Sequence, residues 1–140
     1  MINAADLFDQ CVAPLAPKDI YLHIGQNDLS LIAEDEPAFD QAYTSLVRHI
    51  RNTCKKCNIV IVSLKNSDND QRIAQLNKHL AVIAQDESCE LCDIAKQQVW
   101  NPRQTKEVVS FLYSLGFVRP LCNKRSVQDV ARILFCYNLI

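Results

Sequence analysis

The amino-acid sequence predicts an α/β domain built on a parallel sheet with crossover helices, and three observations carry that expectation. Apolar runs rich in β-branched residues, Ile20–Ile24 and Ile59–Leu64, read as strands buried on both faces. Segments whose apolar residues recur at helical spacing follow each of them. The two patterns alternate along the chain, as right-handed βαβ units require.

Composition agrees. The chain has 140 residues, 49% of them apolar, with a net charge of −1, which is enough for one domain with a real core. Residues 1–140 are therefore read as a single domain, complete or a fragment of a larger one. The charge balance argues against a strongly basic nucleic-acid face. No apolar stretch reaches membrane-spanning length, and the start MINAADLF lacks a basic region followed by an apolar one. A cytoplasmic protein without a membrane partner is expected. Seven cysteines, an odd number, then read as thiols or metal ligands rather than a disulfide framework.

Element by element, Asn3 caps a first helix over residues 3–13, with Ala4, Leu7, Phe8 and Cys11 at helical spacing and Pro14 and Pro17 closing it. Ile20–Ile24 is the first strand. Gly25, one of two glycines in the chain, ends it and hands over to Gln26, Asn27 and Asp28. Glu34, Asp35, Glu36 and Pro37 suit the first turn of a helix. Its apolar stripe is Phe39, Ala42, Tyr43, Leu46, Val47 and Ile50. After the second strand, Lys65–Asp70 is a loop, and the next helix places Ile73, Leu76, Leu80 and Ile83 on one face. Glu90–Ala95 reads as a third strand. Asn101 and Pro102 open a helix carrying Val108, Phe111, Leu112 and Leu115, and Ser126 caps a last one with Val127, Val130, Ile133 and Leu134 inward.

The block Gly25-Gln26-Asn27-Asp28 after an apolar strand resembles the G-x-N-D block of the SGNH (GDSL) hydrolases. The resemblance extends through the strand–helix order over roughly residues 5 to 117, including Asn77. It implies a three-layer, flavodoxin-like parallel sheet that lacks its first strands, with strand order 2-1-3-4-5. It also implies that Gly25 and Asn27 stand where the family stabilises an oxyanion. The rest of the family's machinery is absent: there is no G-D-S nucleophile motif, and Gln98 and Asn101 stand where D-x-x-H would supply acid and base. An amide is neither basic nor titratable near neutral pH, so this triad cannot work. His23, His49 and His79, lying on a strand and two helices, do not replace it.

The resemblance thus implies a catalytically degenerate domain acting as a binding or interaction module. One alternative is part of an active esterase or acyltransferase whose nucleophile is supplied elsewhere. Another is an RNA-binding SGNH-like domain, using Lys124, Arg125 and Arg132 as anion contacts. Two C-x-x-C pairs, Cys54/Cys57 and Cys89/Cys92, have spacing that can chelate zinc if neighbouring strands bring them together. Finally, the edge of Ile20–Ile24 that faces the missing first strand is left unpaired. A homodimer or a protein partner along that edge, or cover by the first or last helix, is expected.

Overall fold

A computed structural model describes residues 3–66 and 68–95 and the strand backbone at 132–135. Asn3 caps α1 (Ala4–Leu7), its side chain accepting from the Asp6 amide at 2.9 Å. The helix continues through a wide π turn over Phe8–Val12 and a tight turn over Ala13–Leu15, and stops where Ala16 takes φ 46°. The expected first helix is therefore present in place, widened in its second half.

Four strands follow: β1 (Asp19–His23), β2 (Asn58–Val62), β3 (Glu90–Cys92) and β4 (Arg132–Phe135). All pair in parallel, in the order β3-β2-β1-β4, with Ile20 in register with Ile59 on one side and with Arg132 on the other. The chain is thus an α/β protein with a parallel sheet, as its alternating pattern requires.

Two expectations are corrected at β4. The residues Ile133 and Leu134, assigned to a final helix, form a strand. Four apolar-biased residues satisfy helical and extended patterns alike, and here the open hydrogen-bonding edge of β1 decides. That edge, expected to lie unpaired along Ile20–Ile24, is occupied by the chain's own β4. A third correction concerns β3, which stops at Cys92 instead of Ala95. The amides of Ile94 and Ala95 turn to the Ser63 hydroxyl, at 2.8 and 3.2 Å, and so leave the ladder.

Helices α2 (Leu29–Glu34), α3 (Glu36–Thr53) and α4 (Gln71–Asp86) complete the described part. Asp35 caps α3 by accepting from the Ala38 amide, with Pro37 in the first turn. Asp70 caps α4 by accepting from Arg72. The stripe Phe39, Tyr43, Leu46, Val47 and Ile50 meets Leu76, Leu80 and Ile83 of α4 in one buried cluster with Phe8, Ile20, Leu22, Ile59 and Ile61. Because side chains alternate along a strand, Tyr21, His23, Val60 and Val62 point to the opposite face. Val60 and Val62 are buried there too, as expected of strands that read as continuous apolar runs.

Polar contacts outside the core hold the two long helices in register. His79 on α4 lies between Asp40 (Nδ1, 2.7 Å) and Glu36 (Nε2, 3.1 Å) of α3. Arg48 makes a forked contact with Glu87, the nearest at 2.8 Å, and Arg51 bonds the Glu87 carbonyl. Arg48 and Arg51 beside it hold the Glu87 carboxyl below the usual carboxylate range. Among the described residues no helix is long and apolar enough to cross a membrane.

Candidate functional site at the carboxyl edge of the sheet

In an open parallel sheet, the backbone groups at the carboxyl ends of the strands face a crevice where successive connections diverge. Here β2 and β3 run out to one side of β1, and β4 lies on the other. The carboxyl end of β1 is therefore the point at which the strand order reverses, and the residues that leave it are Ile24, Gly25, Gln26, Asn27 and Asp28.

Gly25 makes the turn. Its φ of 118° is a conformation side-chain-bearing residues rarely adopt, and a Cβ there would meet Leu76 Cδ1 at 3.1 Å. Both the backbone and the space reserve the position for glycine. Gln26–Asp28 then form one 3₁₀ turn, closed by the Asp28 amide donating to the Gly25 carbonyl at 3.0 Å, and α2 begins at Leu29. This turn exposes Asn27 and buries Asp28, which is only 6% exposed. Gly25 and Asn27 accordingly stand together at the end of β1, Gly25 as hinge and Asn27 as an exposed amide.

The neighbouring strands add polar groups to the same edge. At the end of β2, Ser63 is buried; its hydroxyl donates to Asp93 Oδ1 at 3.0 Å and accepts from the Ile94 and Ala95 amides. With its proton held by a carboxylate and its lone pairs facing two amides, this oxygen is a tie between β2 and β3 rather than a nucleophile. Leu64 follows, and Asn77 of α4 grips its main chain in both directions: Leu64 N donates to Oδ1 at 2.7 Å, and Nδ2 donates to the Leu64 carbonyl at 2.8 Å. Asn66 similarly brackets Asp70, accepting from its amide at 2.7 Å and donating to its carbonyl at 2.9 Å. The end of β2 is thus built rigidly by amide side chains, with Lys65 exposed between them.

His23 is the last residue of β1 and faces the side of the sheet opposite the described helices. Burial pushes its imidazole below the ordinary value of 6.5, with the Val62 main chain acting in the opposite direction. It is neutral at physiological pH. His49 pairs with Asp9 at 2.7 Å, and His79 with Asp40 and Glu36. These two histidines serve contacts between helices.

The cysteines fall elsewhere. Cys54 and Cys57 close the turn between α3 and β2, Cys89 precedes β3, and Cys92 ends it. Chelation by both pairs requires that neighbouring strands bring them together at one end of the sheet. A three-residue β3 instead sets Cys92 at the carboxyl end, roughly 10 Å of strand from Cys89. Among the described residues, no group of three or more His, Cys, Asp or Glu side chains is arranged to hold a metal ion. Burial, with Cys54 alongside, pushes the Cys57 thiol up to about 12. Burial also raises Cys89 and Cys92.

Of the other sequence candidates, Gln98, Asn101, Lys124 and Arg125 lie outside the described residues. Arg132 opens β4, in register with Ile20. Sequence reasoning missed two residues of the edge. Ser63 lies inside the apolar run Ile59–Leu64 without being singled out, although its place in IVIVSL is a signal of burial. Asp28 reads as the last letter of a motif, yet it is one of two buried polar side chains among the described residues.

No protein-family model, curated protein or solved structure matches this chain. What the fold and the site define is a class: an α/β protein whose parallel sheet presents a polar, glycine-hinged loop at its point of strand reversal.

Proposed function

We propose that the chain is a catalytically degenerate SGNH-hydrolase-like α/β domain acting as a binding or interaction module, with its ligand seated on the carboxyl edge against Gly25–Asp28. The observation that carries this reading is the position of the G-Q-N-D loop, directly beyond β1 where the strand order reverses. Strand order supports it as well. If β1, β2 and β3 correspond to the third, fourth and fifth strands of a 2-1-3-4-5 sheet, then β4 occupies the place of the first.

That placement also weighs between binding and catalysis. In the family the nucleophile follows the first strand, so a nucleophile supplied by another polypeptide would have to displace β4 from β1. A second copy pairing along Ile20–Ile24 would face the same obstacle. Ser63, the serine nearest the end of β2, is committed to Asp93 and two amides.

The test is amide shift mapping of the isotope-labelled chain against a library of small polar fragments. Perturbed amides are expected to gather at residues 25–29, 63–66 and 93–95. Perturbations confined to the helical face, or none at all, would overturn the assignment of the edge as a binding site.

A further inference from the structure

The turn joining α3 to β2 holds a feature that the carboxyl edge does not use. Cys57 N donates to the Cys54 carbonyl at 3.1 Å, so residues 54–57 form a hydrogen-bonded four-residue turn. Such a turn brings its first and last Cα atoms within about 7 Å, inside the span a disulfide bridges. Both thiols are free and half-buried, and both pack against the same core. They also lie close enough to act on each other's ionisation. Cys54 Sγ also has a long contact, 3.7 Å, to the Pro17 carbonyl. Between them in sequence, Lys55 and Lys56 are exposed, so the turn carries two positive charges on its surface.

We propose that Cys54 and Cys57 form a reversible dithiol–disulfide pair that exchanges with low-molecular-weight disulfides of the glutathione class. The Cys54 thiolate attacks a sulfur of the small disulfide, expelling one thiol and forming a mixed disulfide. Cys57, whose thiol burial pushes up to about 12, is the resolving partner: it loses its proton as it attacks the Cys54 sulfur of that bond and expels the second thiol. Two electrons and two protons pass from the cysteine pair to the small disulfide, which leaves as two thiols. The lysines favour an anionic exchange partner, and glutathione disulfide carries net negative charge.

Closing the bond acts on the amino end of the sheet. It draws Cys54 from the Pro17 carbonyl and fixes the connection from α3 to Asn58, whose amide bonds the Lys18 carbonyl at 2.7 Å. The oxidised pair therefore fastens α3 to the start of β2 beside the entry to β1. The site needs neither Cys89 nor Cys92, so it stands apart from any four-cysteine metal chelate.

The test uses the full chain equilibrated in glutathione buffers from fully reduced to fully oxidised, then blocked with N-ethylmaleimide and digested with trypsin without reduction. Trypsin cuts after Lys55 and Lys56, between the two cysteines. With the bond formed, the two peptides are expected to stay joined, lighter by two hydrogens, and to separate on reduction. Cys54→Ala and Cys57→Ser should each abolish the joined species, leaving the remaining cysteine alkylated or glutathionylated. Three results would overturn the proposal. In the first, both cysteines are alkylated in a buffer that glutathionylates the exposed Cys11. In the second, either one is bridged to a different cysteine. In the third, zinc is retained at the pair and shields both thiols from oxidation.

Discussion

Replacing Gly25 with alanine probes how firmly the loop at the end of β1 is built. Two separate penalties arise from the structure. The backbone sits at φ 118°, and holding an alanine in so sparsely populated a region costs about 1–3 kcal/mol. The new methyl would also lie 3.1 Å from Leu76 Cδ1 and 3.4 Å from Cδ2. Leu76 is fully buried, so its side chain has no free space to swing into, and such overpacking costs a further ~1–3 kcal/mol. Gly25→Ala should therefore destabilise the chain by about 2–6 kcal/mol.

The two contributions separate in a double-mutant cycle. Leu76→Ala alone opens a cavity and should cost about 2–5 kcal/mol. In that background the alanine methyl enters the vacated space, and Gly25→Ala should then cost only the backbone strain, about 1–3 kcal/mol. Urea unfolding followed by circular dichroism measures all four variants, with unchanged denaturant slopes as the check that the unfolded state is the same. The reasoning is refuted if the two substitutions are additive, or if Gly25→Ala unfolds at the same urea concentration as the parent.

Other expectations follow from single contacts. Asn77→Ala strips both hydrogen bonds from the buried Leu64 main chain and should destabilise by about 2–3 kcal/mol in urea unfolding. Asn77→Asp should fare no better, because a carboxylate would face the Leu64 carbonyl. Tyr43 is completely buried, and its hydroxyl has no hydrogen-bond partner among the described residues. Tyr43→Phe should therefore be neutral or stabilising by about 1 kcal/mol, and a marked loss would reveal a partner. Burial lowers the His23 pKa in the folded chain, so the unfolded chain takes up this proton first as pH falls. That stability is present above 6.5, the ordinary value, and is lost below it, from about pH 7 downward. His23→Gln should flatten this part of the stability–pH curve relative to the parent, and an unchanged slope would assign it to other groups.

How much of this was legible in the sequence depends on how local each signal is. The stripe from Phe39 to Ile50, the cap at Asn3, the acidic, proline-bearing entry to α3 and the glycine stop at Gly25 are read from neighbouring residues and recur in the structure. Leu64 belongs to the apolar run but lies past the end of β2, because Asn77, thirteen residues away, holds its main chain. That contact depends on tertiary packing and leaves no local pattern. The same holds for β3, shortened by Ser63 and Asp93 capping amides that would otherwise continue the ladder. The strand Arg132–Phe135 is the clearest case, since four residues carry too little periodicity to choose between helix and strand. The sequence reading left the edge of β1 unpaired, and β4, the segment that pairs with it, was read as helix. At the candidate site, the loop was visible as a motif, whereas burial of Asp28 and the engagement of Ser63 emerged only from packing.

The separation of binding from catalysis is tested most directly by p-nitrophenyl acetate hydrolysis, measured for the purified chain beside Asn27→Ala. Both are expected to release p-nitrophenolate at the rate of buffer alone, because the Ser63 hydroxyl donates to Asp93 while His49 and His79 are engaged by carboxylates. Turnover above buffer that falls on Asn27→Ala would show a working oxyanion site and contradict the degenerate reading.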